Sequence, residues 1–357
     1  MFSGLRNSAE RPTSPSCARQ GRRTLPSRDQ TTRAGEFELI ERYFVPLAGK
    51  AEGTFGLHND AAVLPVAPGE RLVATVDTMI KGRHFLDCPP ELVARKLLRV
   101  NLSDLAAMGA RPFGYLLAAA WPLDIEEAWI AAFAEGLATD QAIYDIALYG
   151  GDTTGTPGPM TLSLTAFGTV TGAAVLDRGS VRPGDDLYVT GTIGEGYLGL
   201  LALRGELDDL PEATRAVLVG RYRLPEPRLA VGRALLAEGV ARSALDVSDG
   251  LAADIGHLLE ASGVGAEIEL AAVPLSAAAE AALDRLGRPR QLLLTGGDDY
   301  ELAFAADPAR RGAVAALAGR LGLPITRIGR AVAGQGLVVR DAAGAEVALD
   351  KPGWTHF

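Results

Sequence analysis

Aspartates recur beside small residues along this chain of 357 residues. They lie in six short motifs: HNDAAV (58–63), ATVDTM (74–79), NLSDLAAMGA (101–110), YGGDTTG (149–155), DVSDG (246–250) and TGGDDYEL (295–302). Neighbouring Gly, Ser, Thr and Ala residues leave room for a ligand and expose backbone N–H groups. Carboxylate oxygens bind hard cations, and Mg²⁺ usually joins one or two carboxylates to substrate phosphates. The set therefore predicts a site where several Mg²⁺ ions neutralise a nucleoside triphosphate.

Each of these aspartates also has a simpler structural interpretation. A single Asp in such a position is more often a helix cap or a turn residue than a ligand, and Asp249 could cap a helix that begins at Gly250. Asp104 is harder to explain in this way, because it lies within a predicted helix beside Leu102 and Leu105. A carboxylate among core-facing side chains needs a partner or an ion. The whole set therefore favours a functional interpretation.

Signatures of several other site types are absent from the sequence. It has neither the G-x-x-x-x-G-K-[ST] motif of P-loop proteins nor the H-R-D motif of protein kinases, and GTIGEG (191–196) does not match G-x-G-x-x-G. The histidine spacing and the two cysteines, Cys17 and Cys88, indicate neither a zinc site nor a disulfide framework. Lys81, Arg83 and His84 form a small cationic cluster that could receive a phosphate, although a solvated loop explains it equally well.

The secondary-structure pattern predicts an α/β protein with two domains and mixed sheets. In the first half we expect helices over 35–44, 90–109 and 125–143, strands over 60–66, 71–80 and 113–122, and a strand, glycine-rich loop and long strand over 145–170. In the second half we expect strands within 181–194, 265–270, 292–306 and 324–334, helices over 196–205 and 225–237, and a strand, loop and helix over 244–260.

The chain length suggests about two domains. We predict a leader over 1–34, an N-terminal domain over 35–172 and a C-terminal domain over 173–357, because a Pro-Gly turn restarts a strand near residue 183. The leader has seven arginines against Glu10 and Asp29 and little to bury, so we expect it to be disordered. A transit peptide, or translation from an upstream start codon, would also account for it.

Composition restricts the class of protein. Apolar residues make up 48% of the chain and charged residues 22%, as in ordinary globular proteins. A net charge of −9 does not suggest a nucleic-acid partner, and no apolar run approaches the roughly 20 residues of a membrane span. With so few cysteines, we predict a cytoplasmic location. From the net charge and the lack of a long apolar run, we predict that the protein binds neither nucleic acid nor membranes.

Taken in order, the motifs resemble those of the thiamine-monophosphate kinase family. The matching stretches run from about Gly35 to Phe357: GEFELI, RYF, NDAAV, VDTMIKGRHF, NLSDLAAMGARP, GGDTT, RPGDDLYVTG, DVSDGL, GGDDYEL and GWTHF. The family belongs to the aminoimidazole ribonucleotide synthetase superfamily. The resemblance implies an N-terminal domain that binds ATP and Mg²⁺, a C-terminal α/β sandwich, and a homodimer whose N-terminal sheets pack across a two-fold axis.

The resemblance also implies an activity and a set of site residues. The activity is ATP-dependent phosphorylation of thiamine monophosphate to thiamine diphosphate with Mg²⁺. The implied metal ligands are Asp60, Thr75, Val76 (through its carbonyl), Asp77, Asp104, Asp152, Asp246 and Asp249. The implied ATP contacts are Gly151, Asp152, Arg178 and Ser248, and the implied acceptor contacts are His84, Asp298 and Trp354. No side chain is assigned a catalytic role of its own.

The implied chemistry is consistent with these residue types. The acceptor is a phosphate monoester with a second pKa near 6, so it is already largely deprotonated and needs no general base. Phosphoryl transfer then depends mainly on alignment and charge neutralisation, and we expect direct in-line transfer without a phosphoenzyme. Two features depart from the family pattern: His58-Asn59 replaces the usual Gly-Asp before Asp60, and the leader has no counterpart.

Three alternatives remain. One is another ATP-using member of the superfamily, although a selenophosphate synthetase would need a reactive cysteine in a glycine-rich loop, and Cys17 lies in the leader. A second is a non-catalytic sensor of Mg-nucleotide, which the His58-Asn59 replacement keeps open. A third is a structural α/β protein with capped helices and acidic loops.

Overall fold

The computed structural model describes residues 35–349 and Gly353 and contains two β-sheets with helices packed against them. The strands are β1 (Glu70–Ile80), β2 (Arg111–Pro122), β3 (Ala147–Thr156), β4 (Thr161–Thr171), β5 (Asp186–Thr190), β6 (Ser243–Val247), β7 (Gly265–Glu269), β8 (Glu301–Ala306), β9 (Ile325–Val332) and β10 (Gly336–Arg340). The α-helices are α1 (Glu36–Leu39), α2 (Val45–Ala48), α3 (Pro90–Ala107), α4 (Glu127–Tyr144), α5 (Glu195–Leu203), α6 (Glu212–Arg223), α7 (Leu229–Ala237), α8 (Leu251–Ser262), α9 (Ala277–Leu286) and α10 (Arg311–Leu321).

Both sheets are mixed, which confirms the predicted fold class. The first has four strands in the order β1-β4-β2-β3, and only β2 and β3 are parallel. The second has six strands in the order β10-β7-β9-β5-β8-β6, and only β10 and β7 are parallel. The domain boundary at 172/173 stays a prediction.

Helix α3 contacts strands of both sheets and carries one of the acidic motifs. Pro90 begins it, where a missing N–H costs nothing, and Gly109 follows its end at φ 70°. Leu97, Leu98 and Leu105 are fully buried. Contacts with β1, β4 and β6 place α3 beside strands of both sheets, so its polar side chains can meet residues from either one.

Two predictions about local structure are wrong. Residues 60–66 form no strand; instead the Val63 N–H donates to the carbonyl of Gly53 in the preceding turn. The glycine-rich stretch at Gly150 and Gly151 is not a loop but part of β3. A Cβ on Gly151 would lie 1.9 Å from the Leu117 carbonyl oxygen, so β2 and β3 approach closely there because Gly has no side chain.

Within residues 35–349, none of the helices combines the length and hydrophobicity that a membrane span requires. The predicted disorder of residues 1–34 concerns a segment outside the described residues.

Candidate active site

Strands β1 and β6 and helix α3 bring together three carboxylates, those of Asp77, Asp104 and Asp246. The Thr75 hydroxyl donates to Asp104 Oδ2 at 2.5 Å, and the Ser103 hydroxyl donates to Asp246 Oδ2 at 2.8 Å. Because side chains alternate along a strand, Thr75 and Asp77 share the face of β1 that packs on α3. Four of the predicted metal ligands therefore meet at this junction, which we call the acidic cluster: Thr75, Asp77, Asp104 and Asp246.

Burial and mutual repulsion make these carboxylates hard to ionise. Burial, with the charges of Asp104 and Asp249, raises the pKa of Asp77 to about 7. Burial also raises the pKa of Asp104, although the nearby Arg178 charge acts in the opposite direction. Burial and then the Asp104 charge raise the pKa of Asp246 well above its usual value. A bound cation reverses this penalty by favouring the ionised forms.

The loop between β6 and α8 is organised by one buried side chain, that of Asp254. The backbone N–H groups of Ser248, Asp249 and Gly250 all donate to its Oδ2, at 3.0, 3.0 and 3.1 Å. The N-cap residue of α8 is Gly250 and not Asp249. The Asp249 carboxylate, which raises the pKa of both Asp77 and Asp254, therefore adds negative charge to the acidic cluster.

Asp60, Gly151 and Asp152 lie elsewhere, along a cavity of about 590 Å³ at the first sheet. Asn59 lines the same cavity. The side chain of His58, the other residue that departs from the family pattern, is 63% exposed, with Nε2 4.0 Å from Glu41 Oε2. The cavity is therefore lined by two of the predicted metal ligands that are not in the acidic cluster, Asp60 and Asp152.

The strand register separates these two groups of ligands. Asp77 is aligned with Leu164 of β4, whereas Asp152 is aligned through β2 with the adjacent Ser163. Adjacent residues of a strand point to opposite faces, so Asp77 and Asp152 lie on opposite faces of the sheet. The side chain of Val76 is 59% exposed and also faces away from Asp77.

Two of the predicted acceptor contacts lie within the described residues. His84 Nδ1 accepts the N–H of the last residue of β1 at 3.0 Å. Asp298 Oδ1 accepts from Lys96 Nζ at 2.7 Å, and the Asp298 N–H donates to the Ser248 carbonyl at 2.8 Å. The third, Trp354, lies outside the described residues.

The backbone of Arg178, a predicted ATP contact, is held between β6 and α8. Its carbonyl accepts from the Ser243 hydroxyl at 3.2 Å and from the Ser262 hydroxyl at 2.9 Å. The charge of the Arg178 side chain opposes the burial that raises the pKa of Asp104. The guanidinium therefore acts on the acidic cluster.

The donor set fits Mg²⁺ that arrives with a nucleotide. Among the described residues, no three Asp, Glu, His or Cys side chains form a ready-made coordination sphere. Mg²⁺ seldom needs one, because it commonly takes one or two carboxylates and completes its octahedron with water and phosphate oxygens. Carboxylates whose pKa values are raised, such as those of the half-buried Asp77 and the buried Asp246, are suitable ligands for such an ion.

Two family models match most of the chain. The N-terminal domain of AIR synthase related proteins matches residues 58–170, and the C-terminal domain matches residues 182–342. The thiamine-monophosphate kinase of Caulobacter vibrioides is 44% identical over 328 residues, which cover 90% of both chains. This chain belongs to the thiamine-monophosphate kinase family. The family resemblance and the prediction of a phosphotransferase are thereby confirmed.

Solved structures of the thiamine-monophosphate kinase family share this fold. That of the kinase from Stenotrophomonas maltophilia is 41% identical, with a TM-score of 0.76, and the match covers 85% of this chain and 96% of that one. A second, described as "AaThiL complexed with AMPPCP and TMP", is 30% identical, with a TM-score of 0.72 over 92% of this chain and all of that one.

Sequence reasoning missed several polar residues of this kinase-family site. They are Lys96, Asn101, Ser103, Asp254 and Tyr300. Asn101 Oδ1 accepts the Asp77 N–H at 3.1 Å. Burial of the phenol, followed by the charges of Asp298 and of the acidic cluster, raises the pKa of the half-buried Tyr300. Asn101, Ser103 and Tyr300 lie within the motifs quoted for their aspartates. Their closeness in sequence to Asp104 and Asp298 is the signal that could have identified them.

Proposed function

We propose that this kinase-family chain transfers the γ-phosphoryl group of ATP to thiamine monophosphate and releases thiamine diphosphate and ADP. The observation that supports this most is the acidic cluster, in which burial and the charges of neighbouring carboxylates raise the pKa values of Asp77 and Asp246 and so favour a bound cation. The relative solved with AMPPCP, an analogue of ATP, and TMP supports the same pair of substrates.

The side chains of the acidic cluster would hold Mg²⁺ with nucleotide phosphates. When bound, the ions supply positive charge that offsets the repulsion between the two anionic substrates. Thr75 and Ser103 keep the Asp104 and Asp246 carboxylates oriented through their hydroxyl bonds. Asp254 fixes the loop of Ser248 and Asp249 through three N–H bonds.

The remaining assignments are also proposals. Gly151, Asp152, Arg178 and Ser248 would contact ATP, and His84, Asp298 and Trp354 the acceptor. Asp60 and the Val76 carbonyl would complete the metal ligands. We also propose an ATP- and Mg-binding domain over 35–172, a second domain over 173–357, a cytoplasmic location and a homodimer formed through the first sheet.

We propose direct in-line transfer, since the acceptor dianion needs no general base. Incubation with ATP labelled at the γ-phosphate, followed by denaturation, is expected to leave the protein unlabelled. A labelled protein band would instead indicate a phosphoenzyme and overturn this step.

The deciding experiment is an assay of ADP release with ATP and Mg²⁺, comparing thiamine monophosphate, thiamine and no acceptor. We expect release with the monophosphate alone, accompanied by thiamine diphosphate. Asp246→Asn is expected to lower kcat at least about a hundredfold, because it removes a buried ligand for the ions. Asp124→Asn, at an exposed position, serves as the matched control and should retain full activity.

A non-catalytic nucleotide sensor is the second candidate, favoured by His58 and Asn59 beside the cavity. Binding of Mg-ATP without turnover of thiamine monophosphate would support the sensor and contradict the kinase. Turnover would exclude it.

A further inference from the structure

Lys96 carries a buried positive charge next to Asp298, one of the proposed contacts of the phosphate acceptor. Its side chain is 3% exposed, and its Nζ lies 2.7 Å from Asp298 Oδ1. The same ammonium lies 3.7 Å from the ring centroid of Tyr222, a favourable cation–π geometry. The strength of both contacts depends on the Lys96 charge, and this charge has no direct access to solvent.

Tyr222 extends the contact from Lys96 to His84. Its hydroxyl donates to the His84 carbonyl oxygen at 3.3 Å. Burial raises the pKa of this phenol, which keeps the hydroxyl protonated and able to donate. Lys96 is therefore linked to both described residues to which the family resemblance assigns acceptor contacts: Asp298 directly, and His84 through Tyr222.

We propose that Lys96 is a positioning residue for the phosphate acceptor, acting by neutralising Asp298 and by holding Tyr222 against the His84 loop. This inference rests on the proposed function. It does not assign Lys96 a contact with substrate, because the ammonium is covered by its two partners.

The charge of the acceptor explains why this neutralisation matters. Thiamine monophosphate has a nearly dianionic phosphate at neutral pH and one thiazolium cation, so its net charge is negative. The Asp298 side chain is 29% exposed and can act on a ligand, whereas the Lys96 side chain lies behind it. Without Lys96, an unpaired carboxylate would repel the acceptor.

Backbone geometry makes the position of Asp298 dependent on its contacts. Its φ of 70° lies in the left-handed region, which is unfavourable for residues other than Gly and tolerated best by Asn and Asp. Among residues 35–349, two bonds hold it there, the Lys96 salt bridge and the bond from its N–H to the Ser248 carbonyl. Loss of Lys96 would remove the first of these bonds.

The test is steady-state kinetics of ADP release with each substrate varied in turn. Lys96→Met is expected to raise the KM for thiamine monophosphate about tenfold while leaving the KM for ATP within about twofold. The double variant Lys96→Met/Asp298→Asn removes both charges and should recover part of the lost acceptor affinity. Lys50→Met, at an exposed lysine, is the matched control and should equal the wild type.

Tyr222→Phe provides a second measurement that keeps the ring and the fold. It deletes only the bond to His84 and should raise the acceptor KM about threefold, again without changing that for ATP. This variant decides the proposal if Lys96→Met does not yield folded protein.

Each outcome is informative. Three outcomes would overturn the positioning role: an unchanged acceptor KM in both Lys96→Met and Tyr222→Phe, equal changes of KM for the two substrates, or a double variant with a higher acceptor KM than Lys96→Met. If the wild type still turns over thiamine monophosphate, the proposed kinase function stands. A wild-type chain without turnover of thiamine monophosphate would overturn both.

Discussion

Buried and half-buried carboxylates in this protein differ in the groups that lie within hydrogen-bonding distance. Asp254 accepts three backbone N–H groups, and Asp299 accepts those at the start of α5. Within the part of the chain that the structure describes, the side chains of Asp104 and Asp246 accept one hydroxyl each, and the Asp104 charge adds to the raised pKa of Asp77. Carboxylates of the first kind, such as Asp254, have their hydrogen-bonding capacity satisfied by backbone donors. Those of the second kind, such as Asp246, keep free lone pairs and repel one another. Only the second is suited to bind cations, so the donors around a carboxylate identify the site better than the carboxylate alone.

Asp186 shows how a satisfied carboxylate contributes to stability. Its side chain is 2% exposed and accepts from Arg311 Nε at 2.6 Å and from Arg327 Nε at 2.7 Å. The hydrogen bonds of Arg311, together with those of Arg327, hold the pKa of Asp186 below its usual value. The stabilisation is therefore fully present above the unfolded-state pKa of about 3.9 and is lost as the pH falls below it.

Asp186→Asn is expected to lower the free energy of unfolding at pH 7 by about 2 kcal/mol, because it leaves the two guanidinium groups without a counter-charge. Urea unfolding at pH 7 and at pH 3.5 measures this, and the difference from wild type should shrink at the lower pH. Asp124→Asn is the exposed control and should change neither value. A difference that grows on acidification would contradict the assigned direction of the pKa shift.

The sequence is informative about residues whose signal is local. Asp77, Asp104 and Asp246 stand out because small residues and strand or helix patterns surround them. The partner of Lys96 lies 202 positions away, and that of Ser103 lies 143 positions away, so no spacing pattern reveals either pair. Asp254 is intermediate, since its three donors lie four to six residues before it.

The elements differ in how well periodicity predicts them. Helix α3 and strand β1 follow from long apolar patterns with clear ends. Residues 60–66 are also rich in Val and Ala, yet they pair with neither edge strand of the first sheet, and Val63 and Val66 remain 61% and 40% exposed. A run rich in Val favours an extended backbone but cannot say whether a partner strand is available.

Helix packing around α3 depends on glycines whose role the sequence pattern does not predict. A Cβ on Gly232 of α7 would lie 1.8 Å from the Ala106 carbonyl oxygen of α3. A Cβ on Gly136 of α4 would lie 2.4 Å from the Glu91 carbonyl oxygen, also in α3. Both neighbouring helices therefore touch the backbone of the helix that carries Asp104.

Gly232→Ala is expected to lower the free energy of unfolding by about 2 kcal/mol, because α7 must move away from α3. This loss exceeds the roughly 1 kcal/mol that alanine gains from helix propensity. Gly220→Ala in α6 is the matched control, since nothing lies within 4 Å of its added Cβ. Urea unfolding should show opposite signs for the two variants. Stabilisation by Gly232→Ala would contradict the close contact.

At the scale of the whole molecule, the outer face of the first sheet is partly uncovered. Leu72 and Val76 of β1 are 43% and 59% exposed, and Val76 is aligned across the sheet with Thr165 and Leu116. The opposite face packs against α3. Apolar residues at alternate positions of one exposed sheet face are typical of an interface. Asp152 lies on this same face, so the cavity of predicted ATP contacts adjoins the surface that a second copy would cover.

If the proposed homodimer forms through this face, a charge at Leu72 should dissociate it. Sedimentation velocity at micromolar protein is expected to show a dimer for the wild type and a monomer for Leu72→Glu, because the new carboxylate would be desolvated in the interface. Val217→Glu, at a residue of α6 that is 50% exposed, is the control and should remain dimeric. The monomeric variant should also lose kinase activity if the cavity beside Asp152 needs the second copy. A wild-type monomer would refute the dimer, and a Leu72→Glu variant that stays dimeric would place its interface on another surface.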